Sequence, residues 1–388
     1  MTEAAADAPL RVSTLELFFD LVFVFAITQL TGTVSRDATV SAGFRVLLIF
    51  GALWWMYDGY VWLSNARTPV LTTERLLMLT GMAGFLIAGL AIPHAFGRDG
   101  VALGIGYLIL VVVHSVLYQR VNRNIARVTP FNLATALLII GAGVAGGRAA
   151  YLLWAAALAV LALSPLIVGV RGRFAIQPSH FAERHGALVI VVFGESVVDI
   201  GIGAQGHAVT VSLGLSAVLG LALNAALWWA YFGFGDDDRA EEAMLAADPA
   251  DRPALAFTAY FYPYIPMLLG VVALAAGVKE AIVNSDRTLP AAPCVAMGCG
   301  VALFLGGTAA VRHALRTGAV RYRLAAAAAC LAASAVGVTV SVAAEMALLM
   351  VIVAVALVVE RRAAAGGQRE AAGGQGEAAP RDGTSVEP

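Results

Sequence analysis

Ala52-Leu53-Trp54-Trp55-Met56-Tyr57-Asp58-Gly59-Tyr60 returns later in the chain as Ala226-Leu227-Trp228-Trp229-Ala230-Tyr231-Phe232-Gly233-Phe234. Six of the nine positions are identical, the tryptophan pair among them, and both copies lie in long apolar runs. A second echo precedes the first. Glu16 leads into Leu21-Val22-Phe23-Val24-Phe25 at the spacing at which Glu183 leads into Leu188-Val189-Ile190-Val191-Val192. Each half thus opens with an acidic residue ahead of an apolar segment and follows with a segment carrying Trp-Trp-x-Tyr. Such self-similarity marks an internal duplication, which constrains the symmetry of the whole fold.

The composition places these segments in a bilayer. Hydrophobic residues make up 60% of the chain and charged residues 13%, with a mean hydropathy of +0.81. In soluble domains roughly a quarter of residues are charged. A formal net charge of −1 gives a nucleic-acid partner no electrostatic basis. The cysteines, Cys294, Cys299 and Cys330, sit in apolar stretches without metal-type spacing and read as small packed hydrophobes. No metal and no cofactor are expected. Residues 1–13 are polar, and no small-residue cleavage site follows the first apolar run, so no cleavable signal peptide is expected.

A hydrocarbon core of about 30 Å needs roughly 20 apolar residues as helix. On that measure the chain divides into twelve expected spans: 15–33, 42–62, 76–96, 101–119, 131–147, 150–169, 185–205, 210–233, 255–277, 291–311, 323–341 and 343–360. Uninterrupted runs of this length are helical, because lipid leaves backbone groups no other partner. The count puts 19 of the 25 basic residues on one side and 6 on the other. That asymmetry predicts a multi-pass protein of the cytoplasmic membrane with both termini in the cytoplasm. The expected fold is all-α, with two tandem six-helix repeats at 15–169 and 170–360 in parallel orientation. Residues 1–14 form a cytoplasmic N-terminal segment, and 361–388, poor in large apolar residues, read as a disordered cytoplasmic tail.

The segment Ser13-Thr14-Leu15-Glu16-Leu17-Phe18-Phe19-Asp20-Leu21-Val22-Phe23-Val24-Phe25-Ala26-Ile27 closely resembles the opening signature of the bacterial low temperature requirement protein A family. His180-Phe181-Ala182-Glu183-Arg184-His185-Gly186 and Gly194-Glu195-Ser196-Val197-Val198 resemble further patterns of that family at matching places. The resemblance spans roughly residues 13–360. It implies a polytopic protein of the bacterial cytoplasmic membrane and brings no established activity with it.

Ionisable residues inside spans cost roughly 2.5–3.5 kcal/mol each at a helix centre on insertion scales, so each needs a reason. Glu16 and Asp20 are four apart and share a face of span 1; Glu195 and Asp199 are four apart on span 7. Packed about a central axis, these helices are expected to present four carboxylates to a shared interior, a setting for proton or cation binding. Glu16 has a plainer alternative, pairing with Arg11 or Arg184. Asp199 could be hydrated near an outer span end. Asp58 has no acidic counterpart in the second copy, where Phe232 stands, and admits a functional or an interfacial reading. His180, Glu183 and His185 look like a metal-ligand string, but their spacing favours an interfacial hydrogen-bonded cluster. His114, inside span 4, reads first as structural and second as a relay. Trp55 and Trp229 suit either anchoring or a pocket wall, and Asn224 could bridge helices. Pro263 and Pro266 interrupt span 9 beside Tyr262 and Tyr264, as a kink or as the border of a substrate site. The acidic run Asp236-Asp237-Asp238 reads as a solvated loop.

The leading functional expectation is a secondary transporter for a small solute, with Glu195 and Asp20 coupling it to protons. The alternatives are a membrane enzyme acting on a lipid or isoprenoid substrate through carboxylate acid–base chemistry, and a non-catalytic factor in cold adaptation. The lipid bilayer is the one expected partner besides a small or lipid-like substrate.

Overall fold

A computed structural model describes residues 11–169, 171–233, 235–284 and 287–377, and among these no strand occurs. Helix α1 (Thr14–Arg36) is nucleated by a capping box: Ser13 caps the first turn and the Glu16 carboxylate reaches back to the Ser13 N–H at 2.7 Å. Its aromatic and aliphatic run then fills the interior with Phe19, Phe23 and Ile27. There follow α2 (Val40–Ala66), α3 (Thr72–Ala91), α4 (Gly100–Gln119), α5 (Thr129–Ala145) and α6 (Gly147–Val168). The second half holds α7 (Pro178–Ala204), α8 (Val211–Phe232), a short α9 (Asp236–Ala246), α10 (Arg252–Ala256), α11 (Tyr262–Val283), α12 (Ala291–Leu315), α13 (Arg321–Thr339) and α14 (Val342–Glu377).

Among the described residues eleven helical stretches are long and apolar enough to cross a membrane, and the 17-residue α5 brings the total to the twelve expected from hydropathy. A π turn at Phe257–Phe261 joins α10 to α11, so one stretch runs from Arg252 into α11. The π turn lies just before Pro263, whose missing N–H disrupts regular α-helical bonding there. Two readings change. Asp236-Asp237-Asp238 opens α9 rather than a free loop, and α14 continues in helical conformation to Glu377, well into the stretch expected to be disordered; residues 378–388 lie outside the described residues.

The order of neighbours is the same in both halves. In the first, α1 packs on α3, α3 on α4, α4 on α5 and α5 on α6, while α2 lies against α4 and α6. In the second, α7 packs on α11, α11 on α12, α12 on α13 and α13 on α14, while α8 lies against α12 and α14. Corresponding glycine pairs bring backbones together. A Cβ on Gly84 would stand 2.8 Å from the Gly106 carbonyl oxygen, and one on Gly270 would stand 2.5 Å from that of Gly300. Such approach is how helices associate in lipid, where no hydrophobic force acts between them. The halves meet where α1 and α2 touch α7 and α11.

Candidate functional site

The most densely charged part of this junction begins at the capped start of α1. Glu16 is buried, and its Oε2 accepts from the backbone N–H and hydroxyl of Ser13, both at 2.7 Å. The helix N-terminus favours a negative charge there. Its Oε1 faces His180 Nε2 at 3.1 Å and Arg184 Nε at 3.7 Å, both on α7. Asn65 at the end of α2 fixes the His180 ring, because its amide nitrogen lies 3.3 Å from Nδ1. With Nδ1 accepting, Nε2 carries the ring hydrogen and faces Glu16 as a close contact without hydrogen-bond alignment. One turn along α1, Asp20 is bound by the Arg184 guanidinium and accepts from the Tyr57 hydroxyl at 2.6 Å. Arg184, 1% exposed, therefore clamps both acids of the first half to the second.

A second pair stands beside this clamp. Asp58 Oδ2 accepts from Trp62 Nε1 at 2.9 Å, and its Oδ1 lies 3.4 Å from His185 Nε2. His185 Nδ1 lies 2.9 Å from the Phe181 carbonyl oxygen, which can only accept, so Nδ1 carries a hydrogen. With the imidazole neutral, Nε2 would present a lone pair to a carboxylate. Neither atom has a hydrogen-bond partner in this geometry, and one further proton on the pair turns the contact into one between opposite charges. Both residues are buried and sit on different halves.

Cavities adjoin the pair. Asp58 lines one of ≈ 70 Å³, together with Gly59, His114, Asn132 and Ser164 and a set of aromatic rings. His185 packs against Tyr260 and Tyr264, with ring centroids 4.9 Å away in each case, and these tyrosines line a smaller cavity of ≈ 30 Å³ in the second half. That cavity is bounded by another buried network. Asp236 binds Arg312 and Arg323, each at 2.7 Å, as well as Arg239, and Glu360 binds the same Arg312 and Arg323. Asp236, first of the acidic run read as solvated, is thus an anchor for two buried arginines, while Asp238 is exposed. Arg184, Arg312 and Arg323, counted among the basic residues of one side, are network members.

The expected quartet of carboxylates does not form. Glu16 and Asp20 are committed to Arg184, whereas Glu195 lies eleven residues further along α7, about 16 Å at 1.5 Å per residue. Glu195 is half-buried and Asp199 is buried rather than hydrated; each has one oxygen without a hydrogen-bond partner. Glu183 is exposed, and its carboxylate accepts from the Val12 N–H at 3.3 Å, so it stands apart from His180 and His185. Among the described residues no group of three or more metal-binding side chains occurs. Asn224 bonds back to Gly220 of its own helix and does not bridge. Trp55 donates to Asn132 Oδ1 at 2.9 Å beside the larger cavity. Trp229 is 52% exposed and borders a groove between α8 and α14.

Sequence reasoning passed over Glu345, which is fully buried with neither oxygen hydrogen-bonded. It also took Arg184 for a boundary residue. Pro178 at the first turn of α7, a common helix-start signal, extends that helix to include it.

The two stretches quoted for their resemblance, 13–27 and 180–186, are in contact through Glu16, Asp20, His180 and Arg184. The family model described as "Bacterial low temperature requirement A protein (LtrA)" matches residues 11–359. The chain belongs to the bacterial low temperature requirement A family. An uncharacterized protein of Rhizobium meliloti (strain 1021) is 27% identical over 314 residues, covering 77% of this chain and 76% of that protein. The low temperature requirement A match takes in the Arg184 clamp, the Asp58–His185 pair and every residue around the larger cavity.

Proposed function

We propose that this chain is a secondary transporter of the bacterial cytoplasmic membrane, with both termini in the cytoplasm and two halves derived by duplication. Asp58 and His185 carry its coupling proton. One observation supports this above the others: a buried carboxylate–imidazole pair, split between the halves, with its carboxylate in the wall of a cavity. Protonated, the pair is attractive and draws α2 onto α7. Deprotonated, it sets lone pair against carboxylate and loosens the same junction. A proton that alters the grip between two helical bundles is what alternating access about a central site needs. The Arg184 clamp keeps α1 on α7 throughout. The common order of helix neighbours and the excess of arginine on one side support the duplication and the orientation.

Proteoliposomes enclosing a pH-sensitive dye and challenged with amines, carboxylates, sugars and amino acids in turn test the reading. At least one class should drive proton movement through the wild type, and Asp58→Asn or His185→Gln should abolish it. Proton movement untouched by both substitutions, or driven by no class, overturns the proposal.

A further inference from the structure

The cavity beside Asp58 has a chemical character of its own. Its walls include Trp55, Trp62, Tyr118, Phe174, Phe257 and Phe261, rings drawn from both halves and the segment between them. No lysine or arginine lines it. Three of the polar groups among the rings, Asp58, His114 and Ser164, offer lone pairs, while Asn132, its Oδ1 taken by Trp55, has its amide N–H groups to offer. Asp58 contributes a carboxylate. His114 Nε2 lies 3.0 Å from the Gly59 carbonyl oxygen and so carries the ring hydrogen, which leaves Nδ1 a buried acceptor without a partner. The Ser164 hydroxyl donates to Leu161 O at 3.0 Å, so its oxygen keeps its lone pairs. An anion here would meet negative ring faces and acceptors. An apolar guest would leave His114 Nδ1 unsatisfied. A cation with N–H groups matches both the π faces and the acceptors. The volume of ≈ 70 Å³ suits an ion of a few heavy atoms.

We propose that this cavity binds a small organic ammonium ion, which competes with the His185 proton for Asp58. The inference rests on the proton-carrying role proposed above and adds its substrate class. As the ammonium arrives, the proton leaves His185 Nε2 for solvent, one positive charge replacing another beside the carboxylate.

Other ionisable groups near the pair are Glu16 and Asp20 from α1, with His180 and Arg184 of α7 already bound to them, and Tyr57 from α2. His114 and Tyr118 approach from α4, and Tyr260 and Tyr264 from the π turn and α11. Beyond these, Tyr231 of α8 bonds Tyr264, and Asp236 and Asp237 of α9 line the cavity that Tyr260 faces.

Calorimetric titration of the full chain in lipid nanodiscs with methylammonium, ethylammonium and tetramethylammonium chlorides, at constant ionic strength, tests the site. At pH 8 at least one probe should bind saturably, and lowering the pH should weaken that binding, because each ion displaces a proton. Asp58→Asn and Trp55→Leu should each weaken binding about ten-fold or more, while Trp55→Phe, which keeps a π face, should stay within a few-fold. Trp229→Leu, at the matching position of the second copy, should leave affinity unchanged. Thermal transitions matching the wild type show that the variants are folded. No saturable binding at pH 8, or binding indifferent to Asp58→Asn or to pH, overturns the inference. Binding that tracks Asp58 without proton-coupled flux upholds the site and fells the transport reading. Proton-coupled flux driven by another solute class, with no amine bound, fells the amine site alone.

Discussion

Trp54-Trp55 and Trp228-Trp229 are the same dipeptide in two similar stretches of sequence, and they live in different surroundings. Trp54 is wholly buried, donates to the Phe261 carbonyl at 3.1 Å and lies parallel to Phe50 and Tyr264, at 6.1 and 6.0 Å. Trp228 and Trp229 are 41% and 52% exposed and meet each other edge to face. The difference comes from the opposite half. α7 and α11 cover α2, whereas neither α1 nor α3 makes a comparable contact with α8 among the described residues. Similar stretches of sequence can therefore form helices with like neighbours in each half while the junction between halves surrounds them differently.

The strongest way to break this contrast is to release the clamp that holds α7 against α1. Arg184→Leu leaves Glu16 and Asp20 buried without a guanidinium partner, a change expected to destabilise by about 3–5 kcal/mol. Chemical denaturation of the purified protein measures it. Adding Asp20→Asn should recover part of the loss; no recovery would mean that Arg184 acts by packing alone. Next, Trp54→Ala should cost about 3–5 kcal/mol through its cavity and Trp228→Ala under about 1 kcal/mol. Equal losses in thermal midpoint would erase the asymmetry. The smallest effect tests what the halves share. A Cβ on Gly106 would come 2.7 Å from Ala88 N, and one on Gly300 2.6 Å from Leu274 N, while Gly306 has nothing within 4 Å. Gly106→Ala and Gly300→Ala should each cost about 1–3 kcal/mol and Gly306→Ala close to none. Unequal costs at the first two would mean that the halves pack by different rules.

The helices were legible because hydropathy over about 20 residues is a local property. The acids Glu16, Asp20 and Asp58 were visible as anomalies in apolar runs. Arg184 was legible as one of two candidate partners of Glu16, and it does face that acid, but its pairing with Asp20, 164 residues away, and that of Asp58 with His185 arise only through the packing of two halves. Asp236 was misread for the same reason: an acidic trio looks solvated until Arg312, 76 residues away, arrives beside it. Glu195 drew attention by standing near mid-span, yet depth along a helix says nothing about which way the side chain faces. The cavity next to Asp58 was beyond reach, because its rings come from α2, α4, the loop before α7 and the π turn.

Arg184 has a bearing on how the polypeptide is made. When α1 leaves the ribosome, its two acids have no guanidinium to meet, and about 150 further residues must be translated before α7 follows. The nascent first span must wait, neutralised by protons or sheltered by the insertion machinery, until the seventh arrives to accept it.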